Sequence, residues 1–193
     1  MKKITIATLF LLFSQFTLAA SINFDQTSHT NWYRSTIQTE DFIFTKNRGW
    51  MGVNNQNVVN RNAYNGTTDL EMGYGSFTLA HQSGDLFNLS SIDAAISWYN
   101  NSSVDELLLT GFFNNGGSIS NLLNITHDYQ SYFLTGFNDV SHIIFSGRAL
   151  SRGYVAIDNL QTTSVPEPIT FHLLLIGIVA IMLNFRNRRT IAN

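Results

Sequence analysis

Apolar and polar residues alternate along most of this chain in runs of four to eight, separated by short clusters of Asn, Gly, Ser and Asp. Strict alternation puts every second side chain on one face, which is the signature of half-buried strands. The pattern predicts strands at 21–24, at 41–45 with Phe42 and Phe44 on one face, at 76–81, and at 87–99 with Ile92, Ala94, Ile96 and Trp98 together. It predicts a hairpin of 107–113 and 118–125 across Asn114-Asn115-Gly116-Gly117, because Asn and Gly accept positive φ. Further strands are expected at 129–137, with Tyr129, Ser131, Phe133, Thr135 and Phe137 on one side, then at 141–146 and 153–160. The stretch 46–75, rich in Asn and Gly and containing Trp50, reads as long loops with one or two strands. No segment beyond about eight residues keeps a helical period. The expected fold is all-β with eight to ten strands, a two-sheet antiparallel jelly roll.

The two ends differ from this middle. Lys2 and Lys3 precede an apolar run from Ile4 to Phe13, and Thr17-Leu18-Ala19-Ala20 supplies small residues. That is a secretory signal peptide over 1–20, with cleavage after Ala19 or Ala20 by a signal peptidase. At the other end, Pro166-Glu167-Pro168 is followed by an apolar stretch over 169–185 and by Arg186, Arg188 and Arg189. The prolines stiffen and extend the tripeptide. The apolar stretch reaches roughly 25 Å as a helix, at the short limit for a transmembrane span. The arginines would hold the far end in the cytoplasm.

Tripeptide, span and basic tail in this order resemble the PEP-CTERM sorting signal handled by exosortase, a membrane-embedded thiol protease and presumed transpeptidase. The resemblance covers Val165 to Arg189. It implies export through the inner membrane, transient anchoring, C-terminal processing by an exosortase-like partner, and delivery to the cell surface or extracellular matrix. The chain then divides into a signal peptide (1–20), an ectodomain (21–163) and a sorting signal (164–189).

With the ends set aside, about 145 residues remain, enough for one domain with its own core. Five of the eleven Lys and Arg belong to the ends, which leaves six basic residues against thirteen acidic, counting Glu167 of the tripeptide, a net charge of −7. Such a domain is a poor partner for nucleic acid. The absence of Cys removes disulfides, thiolate metal sites and thiol nucleophiles.

Motifs for catalysis are absent. His29, His81, His127 and His142 have no metalloprotease spacing and read as structural or solvated. Ser76 continues into a strand, so there is no nucleophile elbow, and the glycines open no phosphate-binding loop. Asp105-Glu106 and Glu40-Asp41 point to opposite faces when extended. The favoured class is therefore a non-catalytic surface or matrix protein, and the alternative is a secreted polysaccharide-active jelly-roll enzyme. Trp32, Tyr33, Trp50 and Tyr64 sit among amide side chains in loop-like surroundings. Rings beside amides suit sugars, whose C–H faces stack while their hydroxyls take hydrogen bonds, so these four are candidate exopolysaccharide contacts. The closing stretch Tyr154–Leu160 resembles the last strand of many PEP-CTERM ectodomains and of Ca²⁺-containing jelly-roll carbohydrate modules, whose first and last strands are neighbours. That resemblance implies Asp25 and Asp158 as ligands of a structural Ca²⁺.

Overall fold

The computed structural model describes residues 19–27, 34–55, 63–97, 105–147 and 154–165. Ten strands are found there: β1 (Ala19–Ile22), β2 (Thr36–Thr39), β3 (Phe42–Asn54), β4 (Asp69–His81), β5 (Phe87–Ser97), β6 (Asp105–Phe113), β7 (Ser118–Ile125), β8 (Gln130–Phe133), β9 (Val140–Gly147) and β10 (Tyr154–Ser164). All the pairings are antiparallel, and no helix occurs among the described residues.

The layers join where two separate sheets were expected. β3 and β4 form a long hairpin whose two halves serve different layers. In β4, residues 70–73 pair with β10, whereas residues 76–80 pair with β9. One layer is then β8–β5–β10–β4–β3, and the other is β7–β6–β9–β4–β3–β2. The sheet turns from one layer into the other at a bulge, where register slips between Lys46 and Arg48 and again between Arg48 and Trp50. Bulges bend and twist a strand, which is what a sheet needs to fold over onto itself. Phe87 pairs with Val140, bringing β5 of the first layer to β9 of the second. The result is sandwich-like.

Between the layers lies a core rich in Phe. Phe24 meets Phe44 at 5.3 Å, Phe44 meets Phe77 at 5.7 Å, and Phe77 stacks on Phe145 at 4.7 Å. Leu70, Met72, Ile92, Ile96, Val155 and Ile157 face them from the first layer; Leu79, Leu107, Leu109 and Ile143 do so from the second. Each fully buried side chain of this size contributes about 1.5–3 kcal/mol relative to exposure, so the core needs no disulfide.

Several expectations change on inspection. The stretch 46–75 holds the two strands that the sequence allowed, but they are parts of thirteen-residue strands, β3 and β4, and take up more of it than long loops would leave. Its Asn and Gly residues mark the bulge and a close approach of side chains to backbone. The strand expected at 129–137 is only 130–133: Gly136 has φ +84°, and the chain turns so that Phe133 is 82% exposed while Phe137 is buried. The hairpin turn at 114–117 forms as expected, with Gly116 and Gly117 both at positive φ. β1 runs beside β10, Ala19 opposite Thr163, so the first and last strands are neighbours. The Pro-Glu-Pro motif (Pro166, Glu167, Pro168), the apolar stretch, Arg186, Arg188, Arg189 and all but the last two residues of the expected signal peptide lie outside the described residues. Among the described residues no helix is long and apolar enough to cross a membrane.

Candidate functional site

The face of the first layer that points away from the core carries the chemistry. Alternation fixes which residues stand there. Met51 and Val53 of β3, Leu70 and Met72 of β4, Val155 and Ile157 of β10, and Ile92, Ala94 and Ile96 of β5 all face inward. Their neighbours therefore face outward and align in rows across the strands. Trp50, Gly73, Tyr154 and Ser97 make the first row. Gly52, Glu71, Ala156 and Ala95 make the second. The third holds Asn54 opposite Asp69 and Asp158 opposite Asp93, with Asp158 one residue beyond the last β10–β4 pair, Ile157 and Leu70.

The first row is aromatic. Trp50 and Tyr154 lie with ring centroids 4.1 Å apart, and Tyr74 meets Tyr154 edge-on at 5.5 Å. Gly73 makes this possible: a Cβ there would run into the rings of both Trp50 and Tyr154. Gly49, at φ +76°, closes the bulge against the Gly73 carbonyl and the Tyr74 backbone. Tyr74 itself has φ +52°, a conformation uncommon for a large side chain, and is 46% exposed. Trp50 and Tyr154 are half-buried. The bulge thus turns three rings into a partly exposed cluster on one face.

Behind it the second and third rows are buried and acidic. Asp69, Glu71 and Asp158 are all 1% exposed or less. Glu71 Oε1 accepts from Ser97 Oγ and from Asn54 Nδ2 (3.1 Å). Tyr129 donates its hydroxyl to Asp69 Oδ2 at 2.9 Å, and Asn65 and Thr67 both donate to Asp158 Oδ2 at 2.8 Å. Ala63 and Tyr129 pack on Ala95 and Ala156, covering the face. The other oxygens, Asp69 Oδ1, Glu71 Oε2 and Asp158 Oδ1, have no hydrogen-bond partner among the described residues. Burial pushes the Asp69 carboxyl up to about 8, with the neighbouring Glu71 and Asp158 charges adding to the shift against the Tyr129 hydrogen bond. Burial also raises Glu71 and Asp158, opposed by their hydrogen bonds. Burial first, then the Asp69 charge, drives the Tyr129 hydroxyl well above its usual range.

Asp69 therefore holds its proton at neutral pH. General acid–base catalysis needs a carboxyl within hydrogen-bond reach of a substrate, and these three are sealed beneath residues 63–68 and Tyr129. Sequence reasoning missed Asp69 and Glu71 because it considered only adjacent carboxylates. The signal was the spacing of two in Asp69-Leu70-Glu71-Met72, which puts both acids on one face of a strand.

Of the expected sugar contacts, Trp50 belongs to the aromatic cluster, though on a strand. Tyr64 is 40% exposed in the approach to β4, and no ring contact joins it to Trp50 among the described residues. Trp32 and Tyr33 lie outside the described residues. Tyr74 and Tyr154 were not anticipated as contacts. Of the expected Ca²⁺ ligands, Asp158 is buried, while Asp25 is exposed, accepts from the Thr68 amide at 3.0 Å and is close enough for its charge to raise Asp158. Asp158 Oδ1, buried and without a hydrogen-bond partner among the described residues, suits a hard cation. Among the described residues no three His, Cys, Asp or Glu side chains converge to hold a metal ion, so neutral oxygens would have to complete such a site.

His81 and His142 have structural surroundings. His142 stacks on Phe112 at 4.6 Å, and His81 contacts Ser83 Oγ at 2.6 Å and packs edge-on against Phe42. An open cleft elsewhere is lined by Asn23, Gln26, Thr27, Gln38, Thr39 and Glu40, with no aromatic ring.

No protein-family model matches the chain, and no curated protein matches it. Among solved structures it is similar to a family 29 carbohydrate-binding module, at 14% identity and a TM-score of 0.41 over 81% of this chain and 98% of that one. A variant of CBM29-2 aligns at 12% identity and a TM-score of 0.43 over 82% of this chain and 96% of the module. TmCBM61 in complex with β-1,4-galactotriose aligns at 12% and 0.42, over 64% and 88%. Likenesses this loose carry neither a topology nor a ligand across to this chain.

Proposed function

We propose that this chain is an exported, non-catalytic surface or matrix protein that binds polysaccharide through the Trp50–Tyr154–Tyr74 face. The observation that carries this reading is the aromatic cluster itself. Three rings, half-buried or exposed, are gathered at a bulge that glycine keeps open for them. A core aromatic needs no such arrangement, whereas a sugar ring stacks on one readily. Each stacked sugar adds about a kcal/mol beyond the apolar area it buries, so two or three contacts, less the cost of ordering, give only weak binding, in the micromolar to millimolar range.

The end segments support the rest of the proposal: export by the 1–20 signal peptide, transient anchoring by 169–185, and processing near Pro166-Glu167-Pro168 by an exosortase-like enzyme. A Ca²⁺ held by Asp25 and Asp158 would pin the end of β1 to β10 and play no catalytic part. The alternative, a polysaccharide-active enzyme, needs carboxylates open to a groove, and the acids of this face are sealed.

The test is affinity electrophoresis of the full-length chain through gels containing the host's own exopolysaccharide. Retardation by the polymer, reduced in Trp50→Ala while the melting temperature holds, is the expected result. Absence of retardation in the wild-type chain would sink the proposal.

A further inference from the structure

Every Lys and Arg among the described residues borders the bulge that carries Trp50. Lys46 and Arg48 lie within it on β3, and the Arg34 amide donates to the Met51 carbonyl at 3.3 Å while the Lys46 amide donates to Ser35 at 2.8 Å. The segment entering β2 therefore runs along the bulge and brings Arg34 beside it. Arg34 and Arg48 are exposed and Lys46 is half-buried; no ion pair joins any of the three to a described carboxylate. The acids lie elsewhere: on β5, β6, the turns, and buried in the rows behind the rings. On a domain with an acidic balance, the cations among the described residues are concentrated beside the exposed aromatics.

We propose that the polysaccharide bound at this face is acidic, its carboxylates recognised by Arg48 and Arg34 while its sugar rings stack on Trp50, Tyr74 and Tyr154. This rests on the glycan reading above and names the chemical class of its ligand. Guanidinium groups suit the task because their planar fork meets a carboxylate with two parallel hydrogen bonds. Nucleic acid also combines stacking with negative charge, but duplex DNA carries a charge about every 1.7 Å. The three cations beside the rings cannot match that density, whereas a polysaccharide with one carboxylate per sugar or per repeat presents well-separated charges.

Binding is measured on the full-length chain in mild detergent, against polygalacturonate and against the same polymer after carboxyl reduction. The acidic polymer should bind about tenfold more tightly, the equivalent of one charge-assisted contact, and lose that margin as salt rises. Arg48→Gln should abolish the preference while leaving the reduced polymer's binding unchanged. Arg34→Gln should do the same in part, and stands in if Arg48→Gln disturbs the bulge and lowers the melting temperature. Equal binding of the two polymers would overturn the acidic ligand and leave the glycan reading intact. Binding of neither would take both readings down. Inorganic polyphosphate or single-stranded DNA held as tightly as polygalacturonate would reveal an unselective anion surface and overturn the proposal.

Discussion

Raising the pH should destabilise this protein across the range where most acidic domains are unaffected, and Asp69 is the main reason. Its carboxyl holds a proton in the fold up to about pH 8, while in the unfolded chain it releases one near its ordinary value of 3.8. Below about pH 4 both states are protonated and the stability contribution is complete. Between the two values the fold binds one proton more than the unfolded chain, so stability falls by about 1.4 kcal/mol per pH unit. The whole interval amounts to about 5 kcal/mol as an upper bound. Glu71 and Asp158 are shifted in the same direction and steepen the fall. For a domain of roughly 145 residues, the loss between pH 5 and 8 corresponds to a melting temperature lower by on the order of 10 °C. Asp69→Asn keeps the shape and the acceptor for Tyr129 and removes the titration. It should match the wild type at pH 4–5 and exceed it by a few kcal/mol at pH 8–9. Calorimetry or urea titration of both proteins across pH 4–9 reads this directly. A wild-type melting temperature that is flat or rising from pH 5 to 8, with the variant running parallel, would mean that Asp69 is ionised in the fold and would refute the reasoning.

Other outcomes follow from named contacts. Gly73→Ala drives a methyl group into Trp50 and Tyr154; it should cost about 1–3 kcal/mol by overpacking and shift the tryptophan fluorescence, and an unchanged spectrum and stability would remove the platform. If Asp25 and Asp158 hold Ca²⁺, a hundredfold excess over Kd stabilises by about 2.7 kcal/mol; EDTA should lower the melting temperature of the wild type and leave Asp25→Asn unmoved, and no chelator effect removes the metal. Phe133→Ser, at a side chain 82% exposed, should change stability by less than about 0.5 kcal/mol; a larger loss would place Phe133 under cover. Intact mass of the protein from its native host should lack everything after about Pro168, and a retained arginine-rich tail would exclude sorting of the proposed kind.

Strand character was legible because alternation is a local property: Phe42 and Phe44, or Ile92, Ala94 and Ile96, declare their common face within a few residues. The bend of the β3–β4 hairpin was not legible. Gly49, Gly73 and Gly75 look like loop glycines along the chain, and only the long-range pairing of Trp50 with Gly73 turns them into a bulge and a seat for aromatic rings. Asp158 was singled out as a Ca²⁺ ligand on a resemblance, and the structure buries it on this face. Its neighbours Asp69 and Glu71 come from a strand 85 or more residues earlier, and nothing short of the β10–β4 register assembles them. Trp50 was expected in loop-like surroundings, whereas it is a strand residue beside a bulge.

The rings and the acids occupy successive rows of one sheet face, and that arrangement separates two tasks. Burying Asp69, Glu71 and Asp158 as charged groups would cost several kcal/mol each, and the fold avoids this by keeping Asp69 protonated and giving Glu71 and Asp158 two donors each. A protonated Asp69, sealed behind Trp50 and Tyr154, also adds no charge to the field that Lys46, Arg48 and Arg34 set at the rings. Ionising Asp69 at high pH would place a negative charge two rows behind the platform, on the same strand as Gly73. An acidic glycan should therefore be released as pH rises through about 8, beyond what weaker folding alone explains, while a neutral polymer should stay bound until the domain melts. Asp69→Asn separates the two effects: it should retain the acidic polymer through pH 9. If it releases that polymer at the same pH as the wild type, Asp69 does not reach the platform electrostatically, and the rings and the acids are independent features of one face.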